Sequence, residues 1–241
     1  MRSIFILLLL ISCYSYASTA PSNDIYLAIL KTSGVLEPND DTRPYNKLLS
    51  RLTETAPFTI KTQYLSYEKA LVGLESKRID CVFPVVRGKQ RENFNTVYGE
   101  SVNKIAVYLF SLGTVFGSFK EVQNETVLYY RGYDFGNWGL KDYNLVHLFA
   151  VENKDNVVRL LEKNRAIAYI DYLPDIKQSM TLTDFSKLKY DPSSPLKHFE
   201  DTLECYVSEK NTQFINWLNR EIRIMRETEE LKMILGNYYN F

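Results

Sequence analysis

LESKRIDCVFP at 74–84 and LEKNRAIAYID at 161–171 are two versions of one phrase. Each closes an apolar-striped helix, turns on a polar, basic pair and enters a short run rich in Ile, Val, Tyr and Phe. Aligned on Arg78 and Arg165, the copies set Leu74 with Leu161, Glu75 with Glu162 and Pro84 with Asp171. One helix-to-strand unit in each half predicts two similarly built lobes, and the space between them is where function is sought.

Working outward from the first copy, Ile25 to Leu30 (IYLAIL) is an apolar run with strand character, followed by the polar loop KTSGVLEPNDD. Pro44 suits a first helical turn, Asp41 or Thr42 can cap it, and Tyr45, Leu48, Leu49 and Leu52 fall on one helical face. Phe58 to Tyr64 alternates as a half-buried strand, and Ser66 can cap a helix whose stripe is Ala70, Leu71 and Leu74. The first copy then supplies a strand over 79–86. A second series begins after IAVYLFSL at 105–112. It comprises a strand from Thr126 to Tyr130, another from Leu145 to Val151, and a helix capped by Asp155 and carrying Val157, Val158, Leu160 and Leu161. The second copy's strand ends at Asp171. A strand over 202–208 and one long helix from Ile215 to Leu235 close the chain. Strands alternating with helices of this length imply βαβ units and a largely parallel sheet.

Met1 to Ala20 stands apart. Arg2, the apolar run Ile4 to Ile11 and the small residues after it read as a secretory signal too short to span a bilayer. Cleavage after Ala17, with Ser15 and Ala17 as the small residues, suits an ordinary signal peptidase. Leu10, Ile11, Ser12 and Cys13 also fit a lipobox that would leave Cys13 as an acylated terminus. The remainder, somewhat over 200 of the 241 residues, suffices for one large domain or two lobes. Lys plus Arg and Asp plus Glu are 29 each, so no overall field draws nucleic acid or an anionic membrane, and a small partner is expected. Beyond the leader only Cys81 and Cys205 remain, and His147 and His198 stand apart from each other, so no metal-ligand spacing exists. GxSxG, a phosphate loop, HExxH and a glycine-rich dinucleotide fingerprint are all missing. No cofactor is expected.

In an open parallel α/β sheet, ligands bind beyond the carboxyl ends of the strands. That rule selects Lys31, Thr32 and Ser33, then Ser66 and Tyr67, then Pro84 to Arg91, and in the second half Arg131 to Asp134 and Asp171 with Tyr172. Arg87, Lys89 and Arg91 form the strongest anion-binding candidate, since a guanidinium grips a carboxylate through two parallel bonds; a solvated basic loop is the plainer reading. Asp171 ends an apolar strand, where a buried carboxylate needs a partner. A ligand cation and a helix cap both supply one. Tyr133 and Asp134 follow Gly132, where a turn alone also explains them.

Taken together, these residues resemble the bacterial extracellular solute-binding proteins of family 3, the periplasmic binding protein type II fold best known for polar amino acids. The resemblance rests on LVGLESKRIDCVF, the Arg91 loop with Val97 to Ser101 behind it, VLYYRG, LEKNRAIAYID and the final helix. It runs from about Ile25 to Tyr239. The resemblance implies an α/β fold of two lobes, each a mostly parallel sheet flanked by helices, with two crossover strands as the hinge. Lobe 1 would be 22–104 plus 200–241, and lobe 2 would be 105–199. It implies that Arg91 grips a ligand carboxylate and Asp171 meets an ammonium. Pro84, Val86, Tyr133 and Asp134 depart from an amino-acid site. The same fold would set Cys81 and Cys205 on neighbouring strands, as a disulfide, a close thiol pair or two buried apolar cysteines. The function it implies is an exported, periplasmic, monomeric protein that captures a small polar, carboxylate-bearing, amino-acid-like solute and delivers it to an ABC-type membrane permease or a receptor. A dehydratase or lyase on the same scaffold and a sensory subunit are the alternatives.

Overall fold

The computed structural model describes residues 23–32, 34–86, 95–131 and 139–240. The leader with Cys13, and Ser33, Arg87, Lys89, Arg91, Tyr133 and Asp134, lie outside the described residues.

The first half contains β1 (Asp24–Leu30), α1 (Pro44–Thr55), β2 (Thr59–Leu65), α2 (Tyr67–Glu75), β3 (Cys81–Val86), β4 (Thr96–Tyr98) and β5 (Asn103–Phe110). The second contains β6 (Thr126–Tyr130), β7 (His147–Val151), α3 (Val157–Glu162), β8 (Ala168–Tyr172), α4 (Leu173–Ser179), α5 (Leu182–Lys187) and β9 (Lys197–Tyr206). The helices α6 (Glu209–Glu227) and α7 (Glu230–Leu235) follow. The strand order is β2-β1-β3-β9-β5-β8-β6-β7, with β4 on β9. Taken inward from either end, the order is the same: an edge strand, a central strand, the strand of the repeated phrase, then an antiparallel crossover strand.

The two phrases are superimposable in their hydrogen bonds as well as in letters. Lys77 and Asn164 both take the left-handed conformation, at φ 57° and 52°. In the first copy the N–H groups of Lys77 and Arg78 return to the carbonyls of Leu74 and Gly73; in the second, those of Asn164 and Arg165 return to Leu161 and Leu160. This is the Schellman stop, which satisfies carbonyls a helix end would leave unpaired. The strands then enter identical registers, Cys81 opposite Leu27 in β1 and Ala168 opposite Val127 in β6. The polar, basic pair is therefore a helix terminator used twice.

Burial explains why some strands read as continuous apolar runs and others alternate. β1, β5 and β8 are covered on both faces, whereas β2 and β7 are edge strands with mostly exposed or half-buried residues. Four apolar clusters result, one on each face of each half. In the first half, α1, α6 and α7 cover the face bearing Cys81 and Phe83, and α2 covers the face bearing Val82.

Several local expectations need correction. The residue preceding α1 is Arg43, not Asp41 or Thr42; Asp40 instead holds the turn through the N–H and hydroxyl of Thr42 and the Arg43 guanidinium. Asn156 rather than Asp155 precedes α3, and it is Asn153 that accepts from the Asp155 N–H. β9 begins at Lys197, earlier than expected, because its first residues pair with β5 across the hinge. The final helix is broken at Glu229, which is left-handed at φ 60°. The break turns α7 so that Leu231 and Leu235 join the core that α1 covers, and the Arg51 Nε donates to Glu230 Oε1 at 2.6 Å.

Cys81 and Cys205 are directly opposite each other on β3 and β9 and are joined by a disulfide, S–S 2.04 Å. Both are wholly buried.

Candidate functional site

The crossover ladder positions the site. β5 pairs with β9 from Asn103 opposite Asp201 to Val107 opposite Lys197. At one end of that ladder Val86 of β3 pairs with Asp201, and at the other Tyr172 of β8 pairs with Val107. The tips of the two phrase strands thus meet the same short ladder from its two sides, offset along it by four residues, about 13 Å at the rise of a strand. The loops at the carboxyl ends of both parallel sets face one another across it.

From the first lobe come Thr32 and Tyr67, both half-buried. Thr32 bridges to Leu36 and closes the loop after β1, its N–H donating to the Leu36 carbonyl at 3.0 Å. That loop touches the second lobe at Gly34. A Cβ built there would lie 2.5 Å from the Gln178 carbonyl oxygen of α4, and its φ is +76°. Both observations demand glycine. Tyr67 is the first residue of α2, directly after β2.

The second lobe contributes the tips of β6, β7 and β8. Arg131 is exposed and paired with Glu152. Asp171 is deeply buried, 1% exposed, and its partner is internal: the Lys154 ammonium lies 2.7 Å from Oδ2. The Tyr169 hydroxyl donates to the same oxygen at 2.7 Å, and the Tyr172 N–H to Oδ1 at 2.8 Å. Lys154 itself sits 5.4 Å from the centre of the Tyr130 ring, at the tip of β6. Asp171 does not cap α4 by its side chain; Tyr172 holds that position.

Behind the cleft, the buried polar groups continue from one lobe into the other. The Tyr238 hydroxyl, beyond α7, donates to Asp175 of α4 at 2.8 Å. The Tyr45 hydroxyl of α1 donates to Asp201 at 2.5 Å, and the rings of Tyr45 and Tyr238 meet edge to face at 5.1 Å. Asn103 holds the chain end in place: its Nδ2 donates to the Tyr238 carbonyl at 2.8 Å, and its Oδ1 accepts from the Asn240 N–H at 2.7 Å. Burial pushes the Asp175 carboxyl up to about 6, with Lys154 opposing and Asp171 adding to the rise. Burial likewise lifts Asp201 to about 7, opposed by the Tyr45 bond.

Of the sequence candidates, Thr32 follows β1, Tyr67 opens α2 after β2, Arg131 follows β6 and Asp171 lies near the end of β8, so all four stand at the carboxyl ends of strands in the two parallel sets. Arg87, Arg91, Tyr133 and Asp134 belong to segments outside the described residues. Lys154, Asp175, Asp201 and Tyr238 went unnoticed in the sequence, and Tyr45 was read there only as part of the apolar stripe of α1. Lys154 looked like any charge in the polar run ENKDN, and Asp201 lay just ahead of the strand expected over 202–208. Among the described residues no cluster of three or more His, Cys, Asp or Glu could hold a metal, and no helix is long and apolar enough to cross a membrane.

No family model and no curated protein matches the chain. Solved structures do. The GLUR0 ligand binding core complexed with L-glutamate superposes with a TM-score of 0.72 at 11% identity, over 92% of this chain and all of that one (100%). An amino acid ABC transporter substrate-binding protein from Streptococcus pneumoniae, bound to L-arginine, gives 0.69 at 12% identity, over 90% of this chain and 94% of that one. A histidine kinase sensor domain with similarity to periplasmic binding proteins gives 0.71 at 11%, over 90% and 96%. The fold is accordingly the two-lobed α/β clamp of the periplasmic binding protein type II class. Its structural neighbours are binding proteins rather than enzymes.

Proposed function

We propose that this chain is an exported solute-binding protein that captures a small polar, carboxylate-bearing solute between lobe 1 (22–104 plus 200–241) and lobe 2 (105–199). The observation that supports it most is the shared crossover ladder: the tips of β3 and β8 flank it, so ligand-facing loops of both lobes close on one space. A leader over 1–20 fits export to the periplasm, with or without an anchor on Cys13. Arg91 supplies the carboxylate grip. Native mass spectrometry of the protein purified without refolding tests the reading. A co-purified small molecule, recovered chemically intact, is expected; a molecule turned over into product would instead favour a lyase on the same scaffold. Arg91→Ala should weaken calorimetric binding of that solute by about 2 to 5 kcal/mol, and unchanged affinity would remove Arg91 from the site.

Delivery to an ABC-type permease is the reading in line with the transporter-type neighbours. The likeness to a kinase sensor domain favours, as a second reading, a subunit that reports the solute to a receptor. Loss of solute uptake on deletion of the gene separates the first from the second.

A further inference from the structure

Asp171 lies at the carboxyl end of β8, where open α/β sheets place their ligand contacts and where its carboxylate is the acceptor for a cation. Here both of its oxygens are already engaged by the protein. Lys154 Nζ and the Tyr169 hydroxyl, each at 2.7 Å, share Oδ2, and the Tyr172 N–H holds Oδ1. Neither partner is at the surface: the side chains of Lys154 and Asp171 are 5% and 0% exposed. The lysine is held from other sides too. Its ammonium lies over the Tyr130 ring, and it is close enough to Asp175 to oppose the rise of that carboxyl. To use Asp171, a solute ammonium would have to displace a buried primary ammonium of the same charge and similar hydration, and would leave that lysine without its carboxylate.

We propose that Lys154 is a specificity-determining residue, a resident ammonium that fills the cation subsite at Asp171, so that the cleft selects carboxylate solutes that carry no ammonium group. The proposal rests on the solute-binding reading above and narrows its ligand class. It separates this chain from two of its structural neighbours, whose bound ligands are L-glutamate and L-arginine. Charge accounting agrees with it. The buried carboxylate and the buried ammonium cancel, so the pair itself offers no net negative charge to attract a cation, and both oxygens of Asp171 already accept from the protein. A solute ammonium delivered there would be desolvated without compensation, which is how a site rejects a near-identical ligand.

Matched pairs that differ only in the amine test it on the wild-type protein: glutarate against glutamate, succinate against aspartate, each followed by calorimetry and thermal shift. The des-amino member is expected to bind at least tenfold more tightly. An amino acid binding more tightly than its des-amino partner would overturn the proposal while leaving the solute-binding reading in place. A second arm needs no solute. Lys154→Ala should lower the thermal midpoint, and millimolar methylammonium should restore part of the loss in the variant and do nothing to the wild type. A variant as stable as the wild type and indifferent to methylammonium would show that Asp171 needs no resident cation, and would overturn the proposal by itself. Binding of no solute at all would sink the parent reading, with the methylammonium arm still deciding whether the carboxylate is occupied. Should Lys154→Ala fail to fold, the matched pairs decide the case on the wild type, and the uncharged double variant Lys154→Met/Asp171→Asn must keep the wild-type preference against the amine.

Discussion

Asp201 shows what a single buried acid does to the pH dependence of this fold. Burial is the largest cause of its rise to about 7, while an unfolded carboxyl titrates at about 4. Between those two values the native state retains a proton that the unfolded chain has lost. Its contribution to stability is therefore complete below about pH 4 and disappears as the pH rises toward 7. Asparagine keeps an oxygen that can accept from Tyr45 but has no proton to lose. Asp201→Asn is expected to match the wild type in urea melts near pH 4 and to exceed it by on the order of 2 to 4 kcal/mol at pH 8. Equal differences at both pH values would mean that Asp201 is not held protonated by burial. None of this was legible in sequence. Asp201 and Tyr45 are 156 positions apart, and only the crossover geometry brings them to 2.5 Å.

At the scale of elements, the repeated phrase was legible because it is a local device. Its helix stop depends on hydrogen bonds within six residues, so its letters carry it: a left-handed position at Lys77 and Asn164, then a strand. Lysine is a poor occupant of that conformation, whereas asparagine tolerates it. Lys77→Gly should stabilise the protein by about 0.5 to 1 kcal/mol and Asn164→Gly by less, as chemical denaturation would register. A loss in the first case would show that Lys77 contributes contacts beyond its backbone, for example over the Tyr206 ring, 5.9 Å from its ammonium. The caps of α1 and α3 were misread for the opposite reason, since several adjacent polar residues offer equivalent caps and only the loop's path chooses among them. The break before α7 was missed because Glu229 sits inside an unbroken helical pattern. The disulfide joins β3 to β9 across 124 positions. Cys81→Ala/Cys205→Ala should lower stability by about 3 to 5 kcal/mol, with an unchanged urea midpoint counting against any such constraint.

For the whole molecule, two similar halves are joined by β5 and β9, and two contacts link one half to the other. One is Tyr238 on Asp175, which ties the chain end to α4. The other is Gly34 against the Gln178 backbone, which leaves no room for a side chain. The alternation of strands and helices announced the architecture, and the apolar or alternating character of each strand announced its place at the centre or edge. The ligand chemistry was less legible. Asp171 was marked by its position, but its occupant came from ENKDN, a run whose lysine had no reason to be singled out until β7, α3 and β8 were set side by side. A wedge at Gly34 should hold the lobes apart. The most direct test of the clamp is a thermal-shift titration of the wild type and Gly34→Trp with a panel of small carboxylates. In the wild type, one panel member at 100 times its dissociation constant should add about 2.7 kcal/mol, or roughly 5 to 10 °C for a chain of this size, and the same member should shift Gly34→Trp far less. No shift with any member, or an equal shift in the wedged variant, would contradict capture between the lobes.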